Sequence, residues 1–440
     1  MCSKRLTSLA LAAALAAGLA PAASAQNLRE LYESARAYDA TYLAARAQAE
    51  SAQYRAAQAE ALTRPSAALT AEATTANLDP EGLPAGDNNN VQAALSGRWS
   101  LYNPANRASI DQARKSLEAA RAELQTAEQD LIVRLAQAYF DVLAAQDALA
   151  TAGANKAAIT EQLASAKRNF EVGTATITDT REAQARFDLA QAQELAADND
   201  LRVKRIALDQ LVGRPGVAPR PLLVPVQLPP LAPADPEAWV GSAEAGHPAI
   251  QRARAALEIA QLETERAKAA EGPTLDAVGS IGGNDASGRY TSNYPGFTRI
   301  ASIGLQFNLP LYTGGATGNR IKETVSLQER ARNDLEAARR GVALATRTAY
   351  FGVQSGSAQV LALEAAESSS KLALEATQLG YKVGVRVNLD VLNAQTQLFQ
   401  TQRDLARARY DVLVGGLRLR QAAGTLAEGD IDAVNALLAK

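Results

Sequence analysis

Few side chains in this 440-residue sequence could act as nucleophiles, ligands or proton shuttles. There is one histidine, His247, and one cysteine, Cys2, so a Cys/His zinc site cannot be assembled and a Cys–His dyad cannot be supplied twice over. Walker A, G-x-S-x-G and H-E-x-x-H spacings are missing, and His247, directly before Pro248, reads as the start of a helix. What remains is electrostatic: 45 Lys and Arg against 47 Asp and Glu can pair, but they carry out no covalent step. Two turn motifs stand out beside it. They are Phe170-Glu171-Val172-Gly173 followed by Ile177-Thr178-Asp179, and Gly380-Tyr381-Lys382-Val383-Gly384 followed by Leu389-Asp390-Val391-Leu392. Taken singly, their charges read as a solvated helix face. Gly173 and Gly384 can take positive φ without strain and so turn one helix back on the next.

The elements that would carry these stretches are long helices. Proline costs about 3 kcal/mol inside a helix, and none lies between Ala105 and Arg214 or after Pro310. Both tracts are rich in Ala, Leu, Gln, Glu and Arg. A helix from Ala105 to Glu171 would be about 100 Å long and needs coiled-coil partners to bury it. A hydrophobic fraction of 47% supports a packed core, and a net charge of −2 gives no footprint for nucleic acid.

The chain is also a tandem duplication. Ala138-Tyr139-Phe140 recurs as Ala349-Tyr350-Phe351, Val172-Gly173 as Val383-Gly384, and Asp179, Gly213 as Asp390, Gly424, all 211 positions apart. Upstream the offset is 208, pairing Arg46 with Arg254 and Pro65 with Pro273.

Between the helical tracts, strands are predicted. Ala301, Ile303, Leu305, Phe307 and Leu309 alternate with Ser302, Gly304, Gln306 and Asn308, and Val91, Ala93, Leu95, Trp99 and Leu101 alternate with Gln92, Ser96, Arg98 and Ser100. Weaker alternation marks Ala67–Thr74 and Thr274–Ile281. Strict period-2 patterning over about 9–11 residues suits a barrel with lipid outside and water inside. Trp99, Tyr102, Phe307 and Tyr312 fall where an interfacial aromatic girdle would lie. Four strands cannot close a barrel, and open edges are not tolerated in lipid, so several chains must combine.

At the N-terminus, Lys4 and Arg5 precede an apolar run, Leu6 to Ala20, ending in Ala23-Ser24-Ala25. This reads as a secretory signal cleaved before Gln26, which removes Cys2. No other stretch is apolar enough for a spanning helix.

With these residues in hand, the chain resembles the TolC family of outer-membrane channel-tunnel proteins. The resemblance rests on the repeat, on Leu309-Pro310-Leu311-Tyr312-Thr313-Gly314-Gly315, and on the two turn motifs. It implies an α+β membrane protein: a homotrimer with a 12-stranded β-barrel, four strands per chain, continued by a periplasmic α-helical coiled-coil barrel. It implies location in the cell outer membrane, contact with its lipid, and work with a periplasmic adaptor and an inner-membrane ABC or proton-driven transporter. The duct would expel proteins or small toxic molecules. Lack of a lipidation cysteine resembles the secretion-type members.

The resemblance also assigns residues. Gly173 and Gly384 correspond to the adaptor-docking tip. Thr178, Asp179, Tyr381 and Arg386 correspond to the gate, in which Asp179 would accept from the Tyr381 hydroxyl and pair with Arg386, including one on a neighbouring subunit. Asp390 corresponds to the pore-facing acidic ring, and Asn393 stands where a second aspartate is usual, which implies weaker cation preference. Catalytic, metal and cofactor residues are not implied.

The expected division is a signal at 1–25, repeats at 26–213 and 246–424, a Pro-rich linker at 214–245, and a C-terminal equatorial segment at 425–440. A periplasmic coiled-coil scaffold or adaptor without a barrel is the competing expectation. An exported enzyme is a weaker third.

Overall fold

Helix α1 (Leu28–Tyr38) starts at Asn27, whose side chain accepts from the Glu30 amide. Then follow α2 (Ala40–Glu60), the strands β1 (Ser66–Leu78) and β2 (Gly86–Tyr102), and helices α3 (Pro104–Glu171) and α4 (Ile177–Val212). The second half repeats the order with α5 (Pro236–Gly246), α6 (Pro248–Ala269), β3 (Thr274–Gly288), β4 (Gly296–Asn308), α7 (Ala316–Lys382) and α8 (Asn388–Ala422). A short α9 (Glu428–Asn435) follows. This computed structural model describes residues 26–223, 225–291 and 295–439, so the signal segment with Cys2 lies outside the described residues.

The long helices begin where proline permits. Pro104 opens α3, where its missing N–H is no loss, and the 68-residue helix contains no other proline. Helix α7 runs 67 residues. At about 1.5 Å per residue each extends about 100 Å.

The chain forms two compact units, each drawing on both repeats. One comprises the described residues up to Ala44 with 125–247 and 341–440; the other comprises 45–124 and 248–340. The linker therefore divides the chain without dividing the fold.

The second unit carries the sheet. All four strands are antiparallel in the order β1-β2-β3-β4, so β2 pairs with β3 across the repeat boundary. Register settles the faces. Leu69 opposes Leu95, Leu95 opposes Ile281, and Ile281 opposes Ala301, so one face gathers the apolar positions of all four strands. Ile303 is 95% exposed and Leu69 74%, which no water-facing sheet would choose. The other face is mainly polar. There Gln92 donates to Glu72 at 2.8 Å, Ser280 meets Ser302 at 2.8 Å, and Arg98 pairs with Asp276 at 2.6 Å. Ile300 is an apolar exception on it. Simple alternation would turn Leu101 outward. Instead the register shifts between Ser100 and Tyr102, so Tyr102 opposes Leu275 and joins Trp99 and Phe307 on the apolar face.

In the first unit, Tyr139 and Phe140 of α3 are almost wholly buried and meet edge to face at 5.5 Å, and Phe140 stacks on Tyr410 of α8 at 5.6 Å. The repeated pair Tyr350 and Phe351 keeps the same edge contact at 5.5 Å. Both tyrosine hydroxyls hold the linker: Tyr139 accepts from the Arg220 amide at 2.7 Å, and Tyr350 donates to the Ala234 carbonyl. The linker also bridges to Gln26 through Pro219 and to Leu438 through Leu222. His247 is the joint between α5 and α6, as Asp39 is between α1 and α2. Burial holds its imidazole below the usual pKa, which fits a packed joint.

Candidate functional site

Helices α3 and α7 end in the same turn. The Asn169 carbonyl accepts from the amides of Thr174 at 2.8 Å and Ala175 at 3.2 Å; the Gly380 carbonyl accepts from Val385 at 2.9 Å and Arg386 at 3.2 Å. Gly173 at φ +77° and Gly384 at φ +80° supply the left-handed residue each turn needs. A Cβ at either would meet nothing within 4 Å, so glycine is required for its backbone and not for space.

The turns then diverge. Thr176 caps α4: its hydroxyl accepts from the Asp179 amide at 3.2 Å, while the Asp179 carboxylate accepts from the Thr176 amide at 2.9 Å and hydroxyl at 2.7 Å. The equivalent position at the start of α8 is Val387, which has no side chain to cap with. Asp390 is released from that duty and lies 3.5 Å from the Arg386 guanidinium, one helical turn away.

Other expected residues find definite neighbours. The Tyr381 hydroxyl accepts from Asn169 Nδ2 at 3.1 Å, joining the two tips. Asn393 accepts from Arg186 of α4 at 3.0 Å. Thr178 is exposed in the first turn of α4. Within the chain, Asp179 spends its carboxylate on Thr176, and its pairing with Tyr381 or Arg386 does not form. Gly380 leaves room for Arg386 to fold back, because a Cβ there would stand 2.8 Å from its Cγ.

Below the tips, Ile159, Leu163 and Ala166 of α3 pack with Ala183 and Ala190 of α4 and Leu392 of α8. The small alanines let helices approach closely, so the tip is held as one body. Asn169, Arg186 and Thr176 were not singled out from the sequence, and Gly380 stood in its turn motif without a role of its own. The repeat offset pairs Thr176 with Val387 and Asn169 with Gly380, and that mismatch is the available signal. Among the described residues, no cluster of His, Cys, Asp and Glu could hold a metal.

A four-stranded sheet with an apolar and a polar face, continued by paired helices that end in glycine turns, defines an outer-membrane export duct with a periplasmic extension. The chain belongs to the outer membrane efflux protein family, whose model matches residues 31–214 and 239–425. It is 34% identical over 347 residues to outer membrane protein TolC of Vibrio cholerae, covering 79% of each chain. It is 31% identical over 365 residues to TolC of Escherichia coli, covering 80% of this chain and 73% of that one. With the alkaline protease secretion protein AprF of Pseudomonas aeruginosa it shares 36% identity over 310 residues, 70% of this chain and 64% of AprF. Among solved structures, VceC of Vibrio cholerae superposes with a TM-score of 0.76 at 22% identity, over 90% of this chain and 96% of that one. The scaffold without a barrel is thereby set aside.

Proposed function

We propose that three copies of this chain form a passive duct with a 12-stranded barrel, and that the hairpin tips are both its gate and its docking end. The sheet has two open edges, β1 and β4, and a lipid-compatible face, so closure needs other copies. Three chains of four strands give an even number within the range of outer-membrane barrels. A periplasmic adaptor docks at the turns of Gly173 and Gly384, and an inner-membrane ABC or proton-driven transporter supplies the energy. The chain itself performs no catalysis. Its cargo is protein, a reading supported by the likeness to a protease secretion protein, with small toxic molecules as the alternative.

The observation that carries the gate is the Asn169–Tyr381 hydrogen bond between the two tips. Around it, Thr178 and Asp179 present the start of α4, and Arg386 is held by Asp390 at a distance that exchange with a neighbouring copy could outcompete. Exposed pairs contribute about 0–1 kcal/mol each, so three copies sum to a few kcal/mol, which adaptor binding can exceed. Asp390 and Asn393 form the pore ring. Because Asn393 carries no charge and is bonded to Arg186, the ring favours cations weakly. Single-channel recording tests the gate. Tyr381→Phe combined with Arg386→Ser should raise conductance in an intact trimer, and unchanged conductance would refute this latch.

A further inference from the structure

The apolar face of the sheet carries one cation, and we propose that it binds a phosphate group of an outer-leaflet lipid. The residue is Arg299 on β4. It shares a face with Ala301, Ile303, Leu305 and Phe307 and is exposed. Among the described residues it has no ion-pair partner within 4 Å. The acids of that face, Asp285 and Asp87, oppose Phe297 and Asn77 instead.

Three features build the site. First, Phe297 and Phe307 lie on this face ten residues apart. At about 3.4 Å per residue and a tilt of about 40°, they stand about 26 Å apart along the membrane normal, close to the ~25 Å apolar band of such barrels. Phe307 is at the end that continues into helices, so Phe297 marks the outer interface. Second, the Arg299 guanidinium lies 5.7 Å over the Phe297 ring, which holds the cation toward the headgroup level. Third, Gly283, directly opposite Arg299, makes room for that ring: a Cβ there would stand 2.7 Å from it. A planar guanidinium held over an aromatic ring at phosphate depth suits a bidentate phosphate contact. An outward side chain on an edge strand stays on the lipid side after pairing with the next copy. The proposal rests on the lipid-facing reading of the sheet.

The test is native mass spectrometry of the trimer extracted from nanodiscs of phosphatidic acid and phosphatidylcholine. Wild type should retain phosphatidic acid preferentially, and Arg299→Gln should lose about tenfold of that preference. Phe297→Leu and Gly283→Ala, which release or displace the ring, should lose part of it while the heat-labile trimer persists. Asp285→Asn should strengthen retention by removing a competing carboxylate. Equal retention by wild type and Arg299→Gln would overturn the proposal, as would equal retention by wild type and Phe297→Leu if the arginine variant failed to assemble. Displacement by excess inorganic phosphate would make this an ordinary anion site and sink the lipid assignment. A wild type that formed no trimer would instead refute the barrel.

Discussion

Asn169 Nδ2 donates a 3.1 Å hydrogen bond to the Tyr381 hydroxyl, tying the last turn of α3 to the last turn of α7. The two residues belong to different repeats and are 212 positions apart, yet each sits beside a glycine turn of identical hydrogen-bond pattern. The duplication thus places two near-copies tip to tip, and the asymmetry between them supplies the contact. Asn169→Ala should remove it, costing about 1 kcal/mol per protomer and shifting the closed-to-open ratio about fivefold for each. Open probability in planar bilayers measures this. Wild-type gating by an assembled Asn169→Ala trimer would dismiss the contact.

Arg186 and Asn393 make a second testable pair at 3.0 Å. Asn393→Asp should convert their hydrogen bond into an ion pair and restore one negative charge per chain beside Asp390. Cation preference, read from reversal potentials across a salt gradient, should rise. Asp390→Asn should lower it. An unchanged cation preference in Asn393→Asp would place this position outside the pore.

Left-handed glycines of this chain differ in what surrounds them. At Gly173 and Gly384 a side chain has open space, so alanine costs only the left-handed backbone, about 1–2 kcal/mol. At Gly424, φ +69°, a Cβ would also meet His247 Cα at 2.6 Å. Gly424→Ala should therefore lower the temperature of trimer dissociation more than Gly384→Ala. Gly384→Pro is different, because proline cannot reach positive φ. That variant should lose export while its trimer and barrel persist.

Glu263 predicts a pH dependence. Burial raises its pKa, but hydrogen bonds from Arg266, Gln112 and Arg320 outweigh that and bring it down to about 2 from an ordinary 4.5. Because the folded pKa is the lower one, the stabilisation is full above about pH 4.5 and is lost as pH falls through 2. It amounts to about 2–3 kcal/mol, since Glu263 is 19% exposed and its arginine partners are more open to solvent. Glu263→Gln should be destabilised at neutral pH and show a flatter loss of stability between pH 4.5 and 2. Dissociation temperatures across that range check it; parallel curves for the two proteins would contradict it.

Much of this molecule was legible in its residues because the determinants are local and periodic. The absence of proline between Ala105 and Arg214 fixes where α3 and α4 can run, and α3 starts at Pro104 and ends at Glu171. Alternation at Ala301–Leu309 decides which β4 side chains share a face, because a strand has period two. The offset of 211 fixes the two glycine turns as equivalents. Only the tertiary structure decided who meets whom. Nothing local pairs β2 with β3, separated by two long helices, or shifts the register at Ser100 so that Tyr102 faces outward. Nor does sequence spacing tell which aspartate is free. Asp179 and Asp390 occupy the same repeat position, and one cap residue, Thr176 against Val387, commits the first carboxylate to its own backbone and leaves the second to an arginine. Such pairings depend on helix ends brought together by packing of Leu163, Ala183 and Leu392, and packing is a property of distant residues that no window of the chain contains.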